Sequence, residues 1–243
     1  MHFAAQGIIA GAYDVVVAGG IESMSRVPMG TARLGADPFG PTAQARYGGL
    51  VSQGISAELV AAKWDLDRDA QDAYAERSQR LAAQASSSGA FDAEIVPVTV
   101  ETEDGPQQVT VDETIRPNTT LEGLAKLKPA FEDEAMAARF PQIHWSVTAG
   151  NSSQLADGAS ALLVMEESMA ERLGLPPLAR VTAMAVVSDD PIMMLSGPIP
   201  ATHKVLERAG LRLDEIGHYE VNEAFAPVPL AWRQEIDADL ERL

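Results

Sequence analysis

Three groups of residues have the types and spacing to do chemistry. Near the C-terminal end, Val221-Asn222-Glu223-Ala224-Phe225-Ala226 leads from a short apolar segment, Tyr219 to Val221, into an amide, a carboxylate, small residues and an aromatic ring. Strand ends that open into helices are where α/β proteins aim polar groups at a ligand. Asn222 is therefore a candidate hydrogen-bonding group and Phe225 a candidate pocket wall. The same residues also suit a plain turn in which Asn222 caps backbone and Phe225 packs in the core. The second group is Thr148-Ala149-Gly150-Asn151-Ser152-Ser153-Gln154, followed by Asp157-Gly158. Its small residues let backbone approach a ligand, and its hydroxyls and amides offer several hydrogen bonds; a tight loop that satisfies its own backbone is the alternative. The third is Arg116, Lys126 and Lys128, in a proline-bounded stretch with Phe131. It reads either as a cationic patch for a phosphate or as three solvated charges.

What is missing narrows the chemistry. The 243 residues contain no cysteine, hence no disulfide, thiolate metal site or thiol nucleophile. There is no Gly-x-Ser-x-Gly elbow, Walker loop, dinucleotide glycine triad or His-Glu-x-x-His pair. The histidines His2, His144, His203 and His218 share no metal-ligand spacing, so no metal site is expected. A formal charge of -17 argues against non-specific nucleic-acid binding, and an anionic ligand would need a local basic patch. No apolar run approaches the ~20 residues of a membrane span. Phe3 to Ala12 is apolar without a basic leader, which makes a cytoplasmic location the default.

The elements that must position these groups alternate as in an α/β protein. A helical stripe at Phe3, Ala4, Ile8, Ile9 and Ala12 is followed by an apolar run from Asp14 to Gly20, which reads as a buried strand. Glu22 to Pro41 reads as a loop. Ser56 is placed to cap a helix over 57–64, and Asp67 to cap one from Arg68 to about Ser87, with Ala70, Ala73, Tyr74 and Leu81 as its buried stripe. Glu94 to Val100 and Gln107 to Val111 suit a hairpin with Asp104-Gly105 at its turn. A short helix is expected over 122–127. Buried strands are expected over 159–165, 180–187 and 219–221, and helices over 166–173, 201–209 and 229–236. The first helix and strand form half of a βαβ unit, and the last helix has no strand after it. The pattern is that of a larger sheet truncated at both ends.

Taken in order, the motifs resemble the thiolase family of acyl-CoA acyltransferases. They are Ala18-Gly19-Gly20-Ile21-Glu22-Ser23-Met24-Ser25, Arg116-Pro117 through Glu122, and Leu124-Ala125-Lys126-Leu127-Lys128-Pro129-Ala130-Phe131. Thr148 to Ser153 with Asp157-Gly158-Ala159, Gly197-Pro198-Ile199-Pro200-Ala201-Thr202, and Asn222 to Ala226 complete the series. The resemblance implies a duplicated α/β/α sandwich with an inserted α+β loop domain that holds coenzyme A. The expected division is the end of an N-terminal half over 1–25 and the loop domain over 26–145. The last strand and helix of that half would cover 146–175, and the first part of a C-terminal half 176–243. Asn222 would hold the water of an oxyanion hole that stabilises an enolate next to a thioester. Phe225 would line the acyl pocket, Ala149 and Ser153 would contact the pantetheine arm, Phe131 would pack beside it, and Arg116 would lie near the nucleotide. Coenzyme A is then a substrate, no cofactor is called for, and a homo-oligomer is the expected assembly.

The departures from the family pattern shape the expectation. The nucleophilic cysteine, the Gly-His-Pro histidine and the second cysteine are absent, so these residues alone are expected to show no thiolase turnover. A non-catalytic acyl-CoA-binding or partner subunit, and a non-functional remnant, are the alternatives. Ser52-Gln53 stands where short-chain biosynthetic members carry His-Met. That substitution leans towards thiolytic degradation of longer or bulkier 3-ketoacyl chains, as in fatty-acid or steroid side-chain breakdown. The long segment from Glu132 to Ser146 either reshapes the acyl tunnel or forms a surface loop.

Overall fold

The computed structural model describes residues 1–243. In chain order, α1 spans His2–Ile9, and left-handed Gly11 (φ 69°) turns the chain into β1, Val15–Ser23. A loop with one 3₁₀ turn leads to α2, Gly40–Tyr47. Helix α3, Gln53–Lys63, starts at Ser52, whose hydroxyl accepts the Ile55 N–H, and α4, Arg68–Ser87, starts at Asp67, which accepts the Ala70 N–H at 2.8 Å. The hairpin β2, Val98–Thr102, and β3, Gly105–Val109, comes next. Two short helices follow, α5, Leu121–Ala125, capped by Thr120, and α6, Glu134–Arg139, capped by Asp133. Strand β4, Asp157–Met165, runs into α7, Glu167–Leu173, which left-handed Gly174 stops. Helices α8, Pro198–Ala209, and α9, Pro227–Ile236, each open on proline, whose missing N–H costs nothing in a first turn. The architecture is α/β, and no helix is long and apolar enough to cross a membrane.

The core is helical. Every residue of α3 from Gly54 to Ala61 is buried, because α9, the 146–148 segment and Ile143 surround it. One cluster joins Ala57, Val147, Val221, Phe225, Val228 and Trp232. The buried indoles find partners for their N–H groups: Trp232 donates to Thr202 Oγ1 at 2.8 Å and Trp64 to Glu235 at 2.9 Å. The segment from Glu132 to Ser146 is not a free surface loop. Ile143 packs on Ile55 and Leu59, with Phe140 and Trp145 around them, and the Arg139 guanidinium donates to the carbonyls of Tyr47 and Gly49.

Several elements differ from the sequence expectation, each for a physical reason. β1 and β4 are present, but they pair antiparallel as a two-stranded ribbon, Val15 opposite Met165 through Ser23 opposite Asp157. They are not buried: Val17 is 67% exposed and Ile21 82%, because α1 packs on the ribbon and little else covers it. The Asp157 carboxylate closes one end of the ribbon by accepting from the Ser25 N–H and from the Ser23 and Ser25 hydroxyls. Those bonds, Ser25's foremost, hold its pKa below the ordinary value. Segments 180–187 and 219–221 form no strand; no ladder partner lies beside them, and the Tyr219 N–H goes instead to the carbonyl of Arg242. β2 begins only after Pro97, which has no N–H to give a ladder. Ser52, not Ser56, caps α3; Ser56 is buried one turn inside and donates to the Met193 carbonyl at 2.9 Å. Of the residues expected to bury α4, only Tyr74 does so, and its neighbours in the interior are Gln71, Asp72 and Ala75.

Gly54 makes a close contact in the core. A Cβ there would run into the ring of Phe131. Gly54→Ala should therefore cost about 1–3 kcal/mol despite the better helix propensity of alanine, as overpacked cores do. Urea unfolding checks this, and a stabilised variant would show that Phe131 is free to move aside.

Candidate functional site

The site is assembled by stitching the Thr148–Ser153 loop onto the Asn222–Ala226 turn. The Ser153 N–H donates to the Ala224 carbonyl at 3.0 Å, and the Ala226 N–H to the Asn151 carbonyl at 2.9 Å, either side of an antiparallel bridge between Ser152 and Phe225. A second bridge, Pro129 to Thr148, with the Ala130 N–H on the Val147 carbonyl at 2.9 Å, ties the approach to Phe131 onto the same loop. Phe131 and Phe225 meet edge to face, centroids 5.7 Å apart and planes at 81°. Ser153 and Ala149 are exposed along this loop, and Gly150 lies so close to Leu124 and Leu127 that a Cβ there would displace their methyl groups.

Asn222 caps nothing. Helix α9 has Ala226 at its N-cap, with no side-chain cap, and the Asn222 amide stands exposed at the turn. It borders two clefts. One is apolar, about 630 Å³, between Val181, Ala183, Leu206, Tyr219 and Trp232. The other is polar, about 350 Å³, between α4 and the stitched loop, with Tyr74, Ser78, Gln79, Ser153 and Glu223 on its walls.

The cationic group divides. Lys126 is paired with Glu122 at 2.6 Å on the surface, so it is not a free charge awaiting a phosphate. Arg116 is exposed and its guanidinium has no carboxylate partner; its backbone N–H is held at 2.7 Å by Oε1 of Gln79, a residue of the polar cleft's wall, although Arg116 itself does not line the cleft.

Beneath the loop lies a buried polar network that sequence reading missed. Glu58, 1% exposed, accepts the N–H groups of Ser146 and Val147 at 3.0 and 2.9 Å and the Ser146 hydroxyl at 3.3 Å. Gln71 donates to Ser146 Oγ and to the Leu66 carbonyl. Asp72 accepts from Asn151 Nδ2 at 2.9 Å and from Arg68 Nε at 2.7 Å, and the Arg68 guanidinium also reaches the carbonyls of Leu124 and Leu127. On the polar cleft, Glu223 accepts from the hydroxyls of Tyr74 (2.8 Å) and Ser78 (2.6 Å). Burial, and then the neighbouring Glu223 charge, push the Tyr74 phenol well above its ordinary pKa, so it stays a donor. The available signal was spacing: positions 68, 71, 72, 75 and 79 fall on one helical face, but four of them are polar and read as solvent-facing.

Comparison with known proteins gives a consistent picture. Residues 1–168 match the family described as thiolase, N-terminal domain, and residues 175–243 match thiolase, C-terminal domain. A 3-ketoacyl-CoA thiolase of Pectobacterium carotovorum is 45% identical over 230 residues, covering 93% of this chain and 56% of that protein. The steroid 3-ketoacyl-CoA thiolase FadA6 of Mycobacterium tuberculosis is 41% identical over 248 residues, covering 98% of this chain and 57% of its own length. The crystal structure of human mitochondrial 3-ketoacyl-CoA thiolase superposes with a TM-score of 0.80 at 36% identity, over 98% of this chain and 60% of the human one. The chain thus spans little more than half the length of the curated relatives it matches.

Burial raises the Glu58 pKa above 4.5 against the opposing pull of its Ser146 and Val147 hydrogen bonds. Its contribution to stability is complete below the ordinary value and is lost as pH rises through the raised one. Urea unfolding of the wild type should therefore show a stability step on the alkaline side of 4.5 that Glu58→Gln lacks. Identical pH profiles would mean that Glu58 titrates alike in the folded and unfolded chains.

Proposed function

The chain belongs to the thiolase family, and we propose that it supplies the coenzyme A-facing surface and half of an oxyanion hole for 3-ketoacyl-CoA thiolysis. The observation that carries this reading is the stitch between the Thr148–Ser153 loop and the Asn222–Ala226 turn, which leaves the Asn222 amide unengaged beside the exposed Ser153. A neutral amide holds a water in the same way at any working pH. Directed at a thioester oxygen, that water stabilises the enolate more than the ground state. The Phe131–Phe225 pair supports an apolar wall for the acyl or pantetheine arm, with Ala149 and Ser153 along it. Arg116, tied to the cleft-wall residue Gln79, is the proposed partner of the nucleotide phosphates against an overall charge of -17.

The proposed direction is degradative. Ser52 and Gln53 open α3 immediately before Gly54, against which Phe131 packs, and the small Ser52 side chain favours space beside the aromatic pair for a long or bulky acyl chain. Coenzyme A or its thioesters are the proposed ligands, and a homo-oligomer the proposed assembly. Among residues 1–243 no cysteine is available to take the acyl group, which favours a second reading: these residues bind acyl-CoA without turning it over.

Calorimetry on the 243-residue chain tests both. Coenzyme A should give a saturable heat at one site per chain, weakened about tenfold by Arg116→Ala. Asn222→Ala should change it by less than about twofold, because that amide serves the transition state. No thiolysis should survive purification. Absence of saturable binding would retire the coenzyme A surface, and persistent turnover would retire the reading of binding without chemistry.

A further inference from the structure

Helix α4 touches each piece of the candidate site with one face. Arg68 grips the carbonyls of Leu124 and Leu127 on the approach to Phe131. Gln71 holds Ser146, Asp72 holds Asn151, and Gln79 holds the backbone of Arg116. Tyr74 and Ser78, on the flank of that face, clamp Glu223, the neighbour of Asn222. Polar residues at these positions would ordinarily face solvent; here Gln71 is 0% and Asp72 4% exposed.

Within this set one residue controls a joint. Asn151 uses every polar function it has. Its Oδ1 accepts the Thr148 N–H at 2.8 Å, its Nδ2 donates to Asp72 and to the Ser146 carbonyl, and its own carbonyl accepts the Ala226 N–H at 2.9 Å. The amide therefore fixes the loop to the turn, and the orientation of the amide is fixed from outside by Asp72. Asp72 is no ordinary surface partner of Arg68, four residues away. One carboxylate oxygen takes Arg68 Nε and the other takes Asn151, with the Asp72 side chain 5% exposed. An anionic acceptor at that point selects the amide orientation that presents Nδ2 to Asp72 and Oδ1 to Thr148.

We propose that Asp72 is a positioning residue: through Asn151 it sets where Ser153 and Asn222 stand relative to each other. Its effect on ligand rests on the coenzyme A reading above, but its effect on the joint does not. Without Asp72 the Asn151 amide loses the acceptor that orients it, Thr148 loses a fixed partner, and the bridge between Ser152 and Phe225 slackens.

The test reads the joint first, without ligand. Amide exchange in the purified chain should accelerate about tenfold or more at Thr148, Ser153 and Ala226 in Asp72→Ala, while the amides inside α9 keep their protection. Asn151→Asp, which sets two carboxylates against each other, should be worse. The exchange of partners, Asp72→Asn with Asn151→Asp, has unchanged composition and rebuilds the donor–acceptor contact between 72 and 151, while leaving the Ser146 carbonyl without its donor. It should slow exchange clearly below that of Asn151→Asp without reaching wild type. Coenzyme A affinity by calorimetry should follow the same order, lost about tenfold in Asp72→Ala and partly recovered in the double variant relative to Asn151→Asp. Wild-type protection at Thr148 and Ala226 in Asp72→Ala overturns the proposal. So does a double variant no better than Asn151→Asp, and this comparison still decides if both single variants fail to fold. A wild-type chain that binds no coenzyme A overturns the ligand reading alone, because the exchange data still judge the joint.

Discussion

The run from Ser146 to Ser153 is held by two buried carboxylates, one through its backbone and one through a side-chain amide, and the site depends on that arrangement. Glu58 takes the amides of Ser146 and Val147, while Asp72 orients Asn151, which takes the amide of Thr148. Burying a carboxylate is costly unless hydrogen bonds replace its hydration. Glu58 makes three hydrogen bonds that offset part of its desolvation, and Asp72 takes the Asn151 amide and the Arg68 guanidinium. Among buried side-chain atoms, only Gln71 Oε1 lacks a protein partner. A network this nearly complete has few alternative arrangements, which is what a loop facing a ligand needs.

The apolar part of the site inherits its geometry from the polar part. Phe131 is reached from a segment whose carbonyls Arg68 holds, and it ends between Gly54 and the ring of Phe225. Phe225 follows a turn clamped at Glu223 by α4 and bridged at Ser152 by the loop. Asn222, between those anchors, is left with its amide free. Rigid neighbours around one uncommitted side chain are the arrangement that electrostatic preorganisation asks of a site.

How much of this was legible in the sequence depended on how local the cause was. Asp67 as the cap of α4, Gly174 and Gly210 as helix stops and Pro198 near the start of α8 follow from residues within a turn of each other. The Asn222 to Ala226 stretch could be singled out, but its residues alone fitted a cap as well as a site; in the fold Asn222 caps no helix, Phe225 packs in the core, and the turn is tied to Asn151 and Ser153. The runs at 180–187 and 219–221 look like strands because apolar composition reports burial, whereas a strand needs a neighbour's backbone. The polar face of α4 was illegible for the complementary reason. Gln71 and Asp72 are buried by partners 75 and 79 residues away, and no local pattern announces a partner at that distance.

The ribbon of β1 and β4 has a kinetic side. Its strands are joined by a closure of more than a hundred residues; Ser23 meets Asp157 across a separation of 134. Lengthening a loop adds only about 0.6 kcal/mol per doubling, so the equilibrium cost is small, but distant antiparallel pairing is slow to find. Helices α3 and α4 can form from their own caps well before then. During that interval Val15 to Ile21 and Ala159 to Leu163 each present unpaired backbone beside apolar side chains to any other chain nearby. Concentration during synthesis and refolding therefore governs how much of the protein completes its ribbon with itself.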